Sequence, residues 1–234
     1  MKNSIVKLIG IVTLSAGLFT SCSSSDDNNK PTSTFVVNAN DFKGTITDGE
    51  VVLESGTYKL TGKLQINDGA TLTIPAGTRI EATGGTASYI AIAQDGLLYV
   101  NGTSTNPVIM TSGNAVKATG DWGGLVICGK APINTGNTSS SEIGNLTYGG
   151  SETTDNSGSL NYVRIEYAGA EFAANKKFNG LSLFGIGNET RVESIALLNN
   201  ADDGIEIYGG TVDVLNIVSI GNTNHAFSYK DGWV

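Results

Sequence analysis

Asp202 and Asp203 stand side by side, Glu206 follows three residues later, and Asp213 lies a little beyond. The only histidine, His225, comes 22 residues after Asp203. Two carboxylates held near one another can act as acid and base in glycoside hydrolysis, and a neighbouring imidazole can help to move the proton. The oxygens of Asp202, Asp203 and Glu206 could instead serve calcium, which takes about six to eight oxygen ligands. A plainer reading is a tight turn at Asp202-Asp203-Gly204 with solvated glutamates around it. Aromatic residues offer another chemistry: Trp122 and Tyr162, among many threonines and asparagines, suit stacking on a glycan and hydrogen bonding to it. One histidine and one core cysteine cannot make a zinc site. Glycine-rich pieces end strands rather than open helices, so no phosphate cradle is expected, and no Ser-His-Asp order stands out.

Residues 22 apart meet only if the chain returns to the same place with about that period. The stretch Gly62 to Ile80 shows how it does so. Leu64 and Ile66 alternate with Lys63 and Gln65, and Leu72 and Ile74 alternate with Thr71 and Thr73. Alternation with period two places one set on a buried face and the other in water. Asn67-Asp68-Gly69 and Pro75-Ala76-Gly77 break the run with turn-forming residues. A short strand, a tight turn, another strand and another turn make one coil of a parallel β-helix, and later segments repeat it. Stacked coils lie about 4.8 Å apart, so carboxylates distant in sequence can converge.

The same rhythm predicts strands at 51–53, 58–60, 63–66, 70–74, 78–81, 89–92, 97–100 and 108–110. It resumes at Leu181–Phe184, Val192–Leu197, Ile205–Tyr208 and Val212–Val218. No stretch of the body has helical periodicity. The inward positions Ile74, Ile127, Ile165 and Ile207 should stack into one apolar column. In Asn161–Tyr167 the alternation puts Val163, Ile165 and Tyr167 inward, with Tyr162, Arg164 and Glu166 outward. Leu125-Val126-Ile127-Cys128 is apolar throughout, which reads as a buried strand with Cys128 as a small core residue. About 130–159 is a long irregular segment rich in Asn, Thr, Ser and Gly. Loops of that length in a compact domain are uncommon and often functional, the alternative being an insertion between coils without a task.

Composition agrees. Of 234 residues, 31 are Gly and only 4 Pro, which suits many tight turns, and charged residues are 15%. A formal net charge of −8 disfavours nucleic acid as a partner, because an acidic surface repels phosphates. Residues 1–21 form a secretory leader: Lys2 and Lys7, an apolar run from Leu8 to Leu18, then the small residues Thr20-Ser21. The run is too short to cross a membrane comfortably. Residues 22–34 are a polar tether without apolar residues to bury, so disorder is expected there. The domain should run over 35–234, with a candidate cap around Phe35 to Thr47.

Leu18-Phe19-Thr20-Ser21-Cys22 resembles a bacterial lipobox, with Phe19 in place of the usual aliphatic residue. The resemblance implies diacylglycerol on Cys22, cleavage before it and acylation of the new amine, with fatty chains such as palmitate giving a stable membrane anchor. Acidic residues soon after Cys22 are similar to the export signal of Bacteroidota surface lipoproteins, which implies the outer membrane and its external face. An ordinary secreted protein and a linker without an address are the alternatives.

A second resemblance covers about 62–233. Its motifs are L-T-I-P-A-G-T at 72–78, N-P-V-I-M-T-S at 106–112 and G-D-W-G-G-L-V-I-C-G-K-A-P-I-N at 120–134. Y-G-G at 148–150, S-G-S-L-N-Y-V-R-I-E-Y-A-G at 157–169 and D-D-G-I-E-I-Y-G-G-T-V at 202–212 complete the series. Together they resemble a largely uncharacterised family of right-handed parallel β-helix proteins common in Bacteroidota, often surface lipoproteins. The resemblance implies an all-β, single-stranded right-handed solenoid. Members usually carry an acidic run before the D-G-W at 231–233 and continue well beyond it. The expectation is therefore a solenoid truncated at its C-terminal end, open at Phe227 and Tyr229, and prone to associate end to end.

Two functions from different classes remain. One is a binding, adhesion or structural module for a glycan or another surface protein, with calcium as a candidate ion and no catalytic residue. The other is a polysaccharide hydrolase or lyase. β-Helix polygalacturonases resemble this chain in placing paired aspartates on one coil and a histidine on the next, which would assign Asp202, Asp203 and His225. The chain lacks their Asp one coil earlier, their Arg-x-Lys and the glycines that flank the histidine.

Overall fold

The computed structural model describes residues 31–234. The leader, Cys22 and most of the tether lie outside the described residues. The chain rises in rungs. β1 (Phe42–Ile46), β2 (Glu50–Val52) and the first half of β3 (Thr57–Ile66) make the first, and the rest of β3 with β4 (Thr71–Pro75) and β5 (Arg79–Ala82) makes the second. β6 (Ile90–Ile92), β7 (Leu97–Asn101) and β8 (Val108–Ser112) follow. After β9 (Leu125–Cys128) comes a long excursion with a hairpin of β10 (Ser139–Ser140) and β11 (Thr147–Tyr148), and β12 (Gly158–Glu166) then completes that rung. A second hairpin, β13 (Glu171–Ala173) and β14 (Lys176–Lys177), precedes β15 (Leu181–Ile186) and β16 (Arg191–Leu198). β17 (Ile205–Gly210), β18 (Val214–Ile220) and β19 (Phe227–Lys230) end the series, and the only helical turn among the described residues is Gly85–Ala87.

Pairing between rungs is parallel throughout. One side of the solenoid is the ladder β1, β3, β6, β9, β15, β17, β19. Its register places Ile66, Ile92, Ile127, Leu183, Ile207 and Tyr229 in one file. All but Tyr229 are buried in the main core, as are Ile74 and Ile165 on the other two sides. The column is thus the period-two pattern repeated rung by rung. Each fully buried aliphatic side chain contributes about 1.5–3 kcal/mol relative to exposure. Polar groups inside a corner are paired as well. The Asn200 Oδ1 accepts from Ala168 N–H at 2.9 Å, and its Nδ2 donates to Asn222 Oδ1 one rung later at 2.9 Å.

Three expectations change. Pro31, Ser33 and Thr34 already bond to the first rung: Ser33 N–H donates to Glu50 O, Glu50 N–H to Pro31 O, and Asp48 accepts from Ser33 and Thr34. The ordered body therefore starts before residue 35. Tyr167 is not an inward residue. Its φ of 61° breaks the alternation, Ala168 takes the inward place, and the Tyr167 ring lies beside Lys117 Nζ. Glu166 is buried, paired with Arg164, instead of standing in water. Cys128 is the small buried core residue expected, and the structure adds that it sits on the outer side of its strand, in a second apolar core cluster. An all-apolar strand is what a sheet covered on both faces requires, and the cover is the 130–156 excursion.

That excursion is held at its base. The Asp155 carboxylate accepts from Lys130 N–H at 2.9 Å and Gly187 N–H at 3.3 Å. Gln94 Nε2 donates to both Gly129 O and Gly149 O at 2.9 Å. Lys130 Nζ is paired with Asp95 at 2.6 Å and Glu152 at 3.2 Å.

Candidate functional site

The outward residues of the first ladder form two files. Val126, Ser182, Glu206 and Ser228 stand in register, and so do Cys128, Phe184, Tyr208 and Lys230. Both hairpins lie over these files. Ile143 and Tyr148 of the first excursion, and Ala170 and Phe178 flanking the second hairpin, pack on Val126, Cys128, Phe184 and Tyr208. The rings of Phe184 and Tyr208 stack with centroids 3.8 Å apart, and Tyr148 sits against Phe184 at 5.0 Å. Such aromatic pairs are worth about 0.5–1.5 kcal/mol beyond the area they bury.

Toward the last rungs the apolar floor gives way to charge. Lys230 Nζ lies 4.4 Å from the centroid of the Tyr208 ring and 3.1 Å from the Glu206 carboxylate. Glu206 also accepts from the Tyr208 hydroxyl and from Asn179 Nδ2 at 2.8 Å. Burial, followed by the Glu206 charge, pushes the Tyr208 phenol far above its ordinary pKa, so it remains a donor. Tyr148 donates to Asp231 at 2.8 Å, and burial with this bond pushes its phenol up to about 12.

Two adjoining cavities open here, the larger between the first excursion and the last rungs and the smaller between the two hairpins. The larger, about 350 Å³, has Tyr148, Phe184 and Tyr208 in its lining and Thr135, Ser139 and Ser140 on its wall. The smaller, about 150 Å³, is bordered by Phe172, Lys176, Lys177, Asp202 and Glu206. Glu142, Tyr208 and Lys230 line both. The Tyr148, Phe184 and Tyr208 rings are themselves buried, packed on one another and under Lys230, so what they leave open to a ligand is the rim of hydroxyls and charges above them, which can hydrogen-bond a polyhydroxylated molecule.

The residues singled out in the sequence are only partly drawn together. His225 does lie one rung beyond Asp203: its N–H donates to Asp203 Oδ1 at 2.8 Å, with Nδ1 at 3.0 Å. Asp203 is buried while the His225 side chain is 67% exposed. Asp202 accepts from Asn224 at 2.9 Å, and burial raises its pKa. Asp202 and Glu206 border the smaller cavity, and Asp203 does not. The carboxylates of Asp202, Asp203 and Glu206 thus answer to different donors, and among the described residues no three acidic, histidine or cysteine side chains are grouped to hold a metal.

Trp122 is corrected outright. It is 0% exposed in the main core and its indole donates to Glu166 O at 2.8 Å, so no glycan can stack on it. Tyr162 is 36% exposed with φ 49°, on β12, a strand of the other two sides. Glu142, Tyr148, Phe184, Lys176 and Lys230 were not foreseen. Their only sequence signals were the all-apolar Leu125–Cys128 strand and the long loop.

A family model described as a pectate-lyase-like beta helix domain matches residues 44–234. Comparison with curated proteins gives no significant match, and neither does comparison with solved structures.

Proposed function

The chain belongs to the pectate-lyase-like β-helix domain family, and from that premise we propose that it is a carbohydrate-binding module, held at the outer membrane through lipid on Cys22 and facing the cell surface. One observation carries the reading: above the buried Phe184–Tyr208–Tyr148 stack runs a cleft whose rim combines the hydroxyls of Thr135, Ser139 and Ser140 with the paired charges of Glu142, Lys176, Lys230 and Glu206. Its carboxylates are already engaged, Glu206 by three donors and Asp231 by Tyr148. A carboxylate held in this way serves orientation better than proton transfer. The cleft's lysines and acids largely neutralise one another, which favours a neutral glycan over a highly charged one.

The second reading, a polysaccharide hydrolase or lyase, draws on the family description and on the Asp203–His225 pair. A glycan array followed by product analysis separates the two. Binding without cleavage supports the module. Release of new reducing ends or unsaturated sugars from a bound polysaccharide supports the enzyme. No retention of any glycan would end the carbohydrate reading.

A further inference from the structure

Glu142 stands where the two cavities meet. It projects from the first excursion, and its carboxylate lies 3.2 Å from Lys176 Nζ of the second hairpin and 3.9 Å from Lys230 Nζ of the floor. A single side chain therefore reaches from one wall of the cleft to the other. We propose that Glu142 is a movable bar across one continuous cleft, and that the ligand is an oligosaccharide of more than one sugar spanning both cavities. The second half of this proposal rests on the carbohydrate reading above.

Size supports the joined cleft. Ligand pockets run to about 300–1,000 Å³. The larger cavity, about 350 Å³, falls at the low end of that range, and the smaller, about 150 Å³, is too small to be a separate site. It does suit the extension of a molecule seated next door. The bar is also easy to move. Glu142 is about half exposed, with side-chain exposure of 46%, and Lys176 more so at 57%. Exposed pairs of this kind are weak and screened by salt. The backbone under the side chain stays in place: Ile143 is buried, and Ser141 Oγ donates to Ile143 O at 2.7 Å while accepting from Leu146 N–H at 3.0 Å. When the carboxylate swings away, Lys176 is released to donate to ligand hydroxyls, while Lys230 keeps its pairing with Glu206.

The test compares wild type with Glu142→Ala and Glu142→Gln, each checked by thermal melt. Without any ligand, lysines are acetylated with N-acetoxysuccinimide and followed by peptide mass spectrometry, with exposed Lys59 as reference. Lys176 should react about two- to fivefold faster in both variants, the factor an exposed ion pair is worth, and wild type should approach them at high salt. Neutral gluco-, xylo- and manno-oligosaccharides of one to three units are then titrated. The preference for the longest over the monosaccharide should rise by a similar factor in Glu142→Ala. Unchanged Lys176 reactivity overturns the bar. Faster acetylation with no change in length preference overturns the spanning ligand. If none of these sugars binds any of the three proteins, the carbohydrate reading falls and the spanning ligand falls with it, while the bar is judged by acetylation.

Discussion

Asp155 shows how much one side chain holds in place. Its carboxylate takes the N–H groups of Lys130 and Gly187 and tethers the return of the first excursion to the next rung. Replacing it with Ala leaves those donors short of a partner at a buried site, a cost of about 1–3 kcal/mol, to be read from denaturant midpoints. Its pKa is raised above the ordinary 3.8, with burial as the leading cause and its hydrogen bonds acting the other way. A raised pKa means that folding favours the neutral acid. The stability that this group contributes is therefore complete below pH 3.8 and is lost as the pH rises through the elevated folded value. Measured against Asp155→Asn, wild type should lose relative stability on passing upward through that window. A difference that grows with pH would show that the hydrogen bonds outweigh the burial.

At the scale of elements, β12 is the strand that the stack depends on most. It replaces two short strands of earlier rungs, pairing with β7 and β8 on one side and with β16 on the other. Ile165 is fully buried near its C-terminal end, with Met110 and Leu197 as partners in the adjoining rungs. Ile165→Ala should destabilise by about 2–5 kcal/mol in equilibrium unfolding, the range for deleting a buried aliphatic group, and a loss below about 0.5 kcal/mol would contradict its inward placement. The strand begins at Gly158 with φ 105°, where an added Cβ would lie 2.2 Å from Leu98 O. Gly158→Ala should therefore be at least as damaging, because the obstacle is backbone. Both substitutions lie away from the cleft files, so any glycan retention should survive in whatever fraction stays folded.

At the scale of the whole molecule, the first and last described rungs differ in the apolar side chains they leave exposed. Phe35 covers Phe42 of the first rung with ring centroids 6.5 Å apart. At the far end Val218, Ile220, Phe227 and Tyr229 are exposed on the last strands. A free strand edge beside apolar side chains is a template for another chain. Purified protein of residues 23–234 should therefore scatter light as a species that grows with concentration, and Val218→Lys with Tyr229→Lys should reduce that growth; a constant monomer mass would refute it. Anchoring is a separate matter. Cys22→Ser should shift the protein from the membrane to the soluble fraction and change its mature mass, and continued membrane fractionation at an unchanged mass would dismiss the lipid at that residue.

The amino-acid sequence by itself determined the rungs. Alternation at Leu64–Ile66 and Leu72–Ile74, the turns at Asn67–Gly69 and Pro75–Gly77, and their repetition are local, and local rules decide which side of a strand faces in. The buried column of Ile74, Ile127, Ile165 and Ile207 followed from them, and so did the long excursion near 130–159. Alternation failed at Tyr167, where a single left-handed residue reverses the phase without changing the composition. What only the tertiary structure decided was the outside of the first ladder. Glu142, Tyr208 and Lys230 meet because rungs stack in one register and an excursion folds back over them. Register is set by pairing between segments far apart in the chain, and the cover is set by apolar area found only after the rungs exist. Trp122 illustrates the difference: its ring could as well have faced a ligand, until the neighbouring rungs enclosed it and Glu166 O took its N–H.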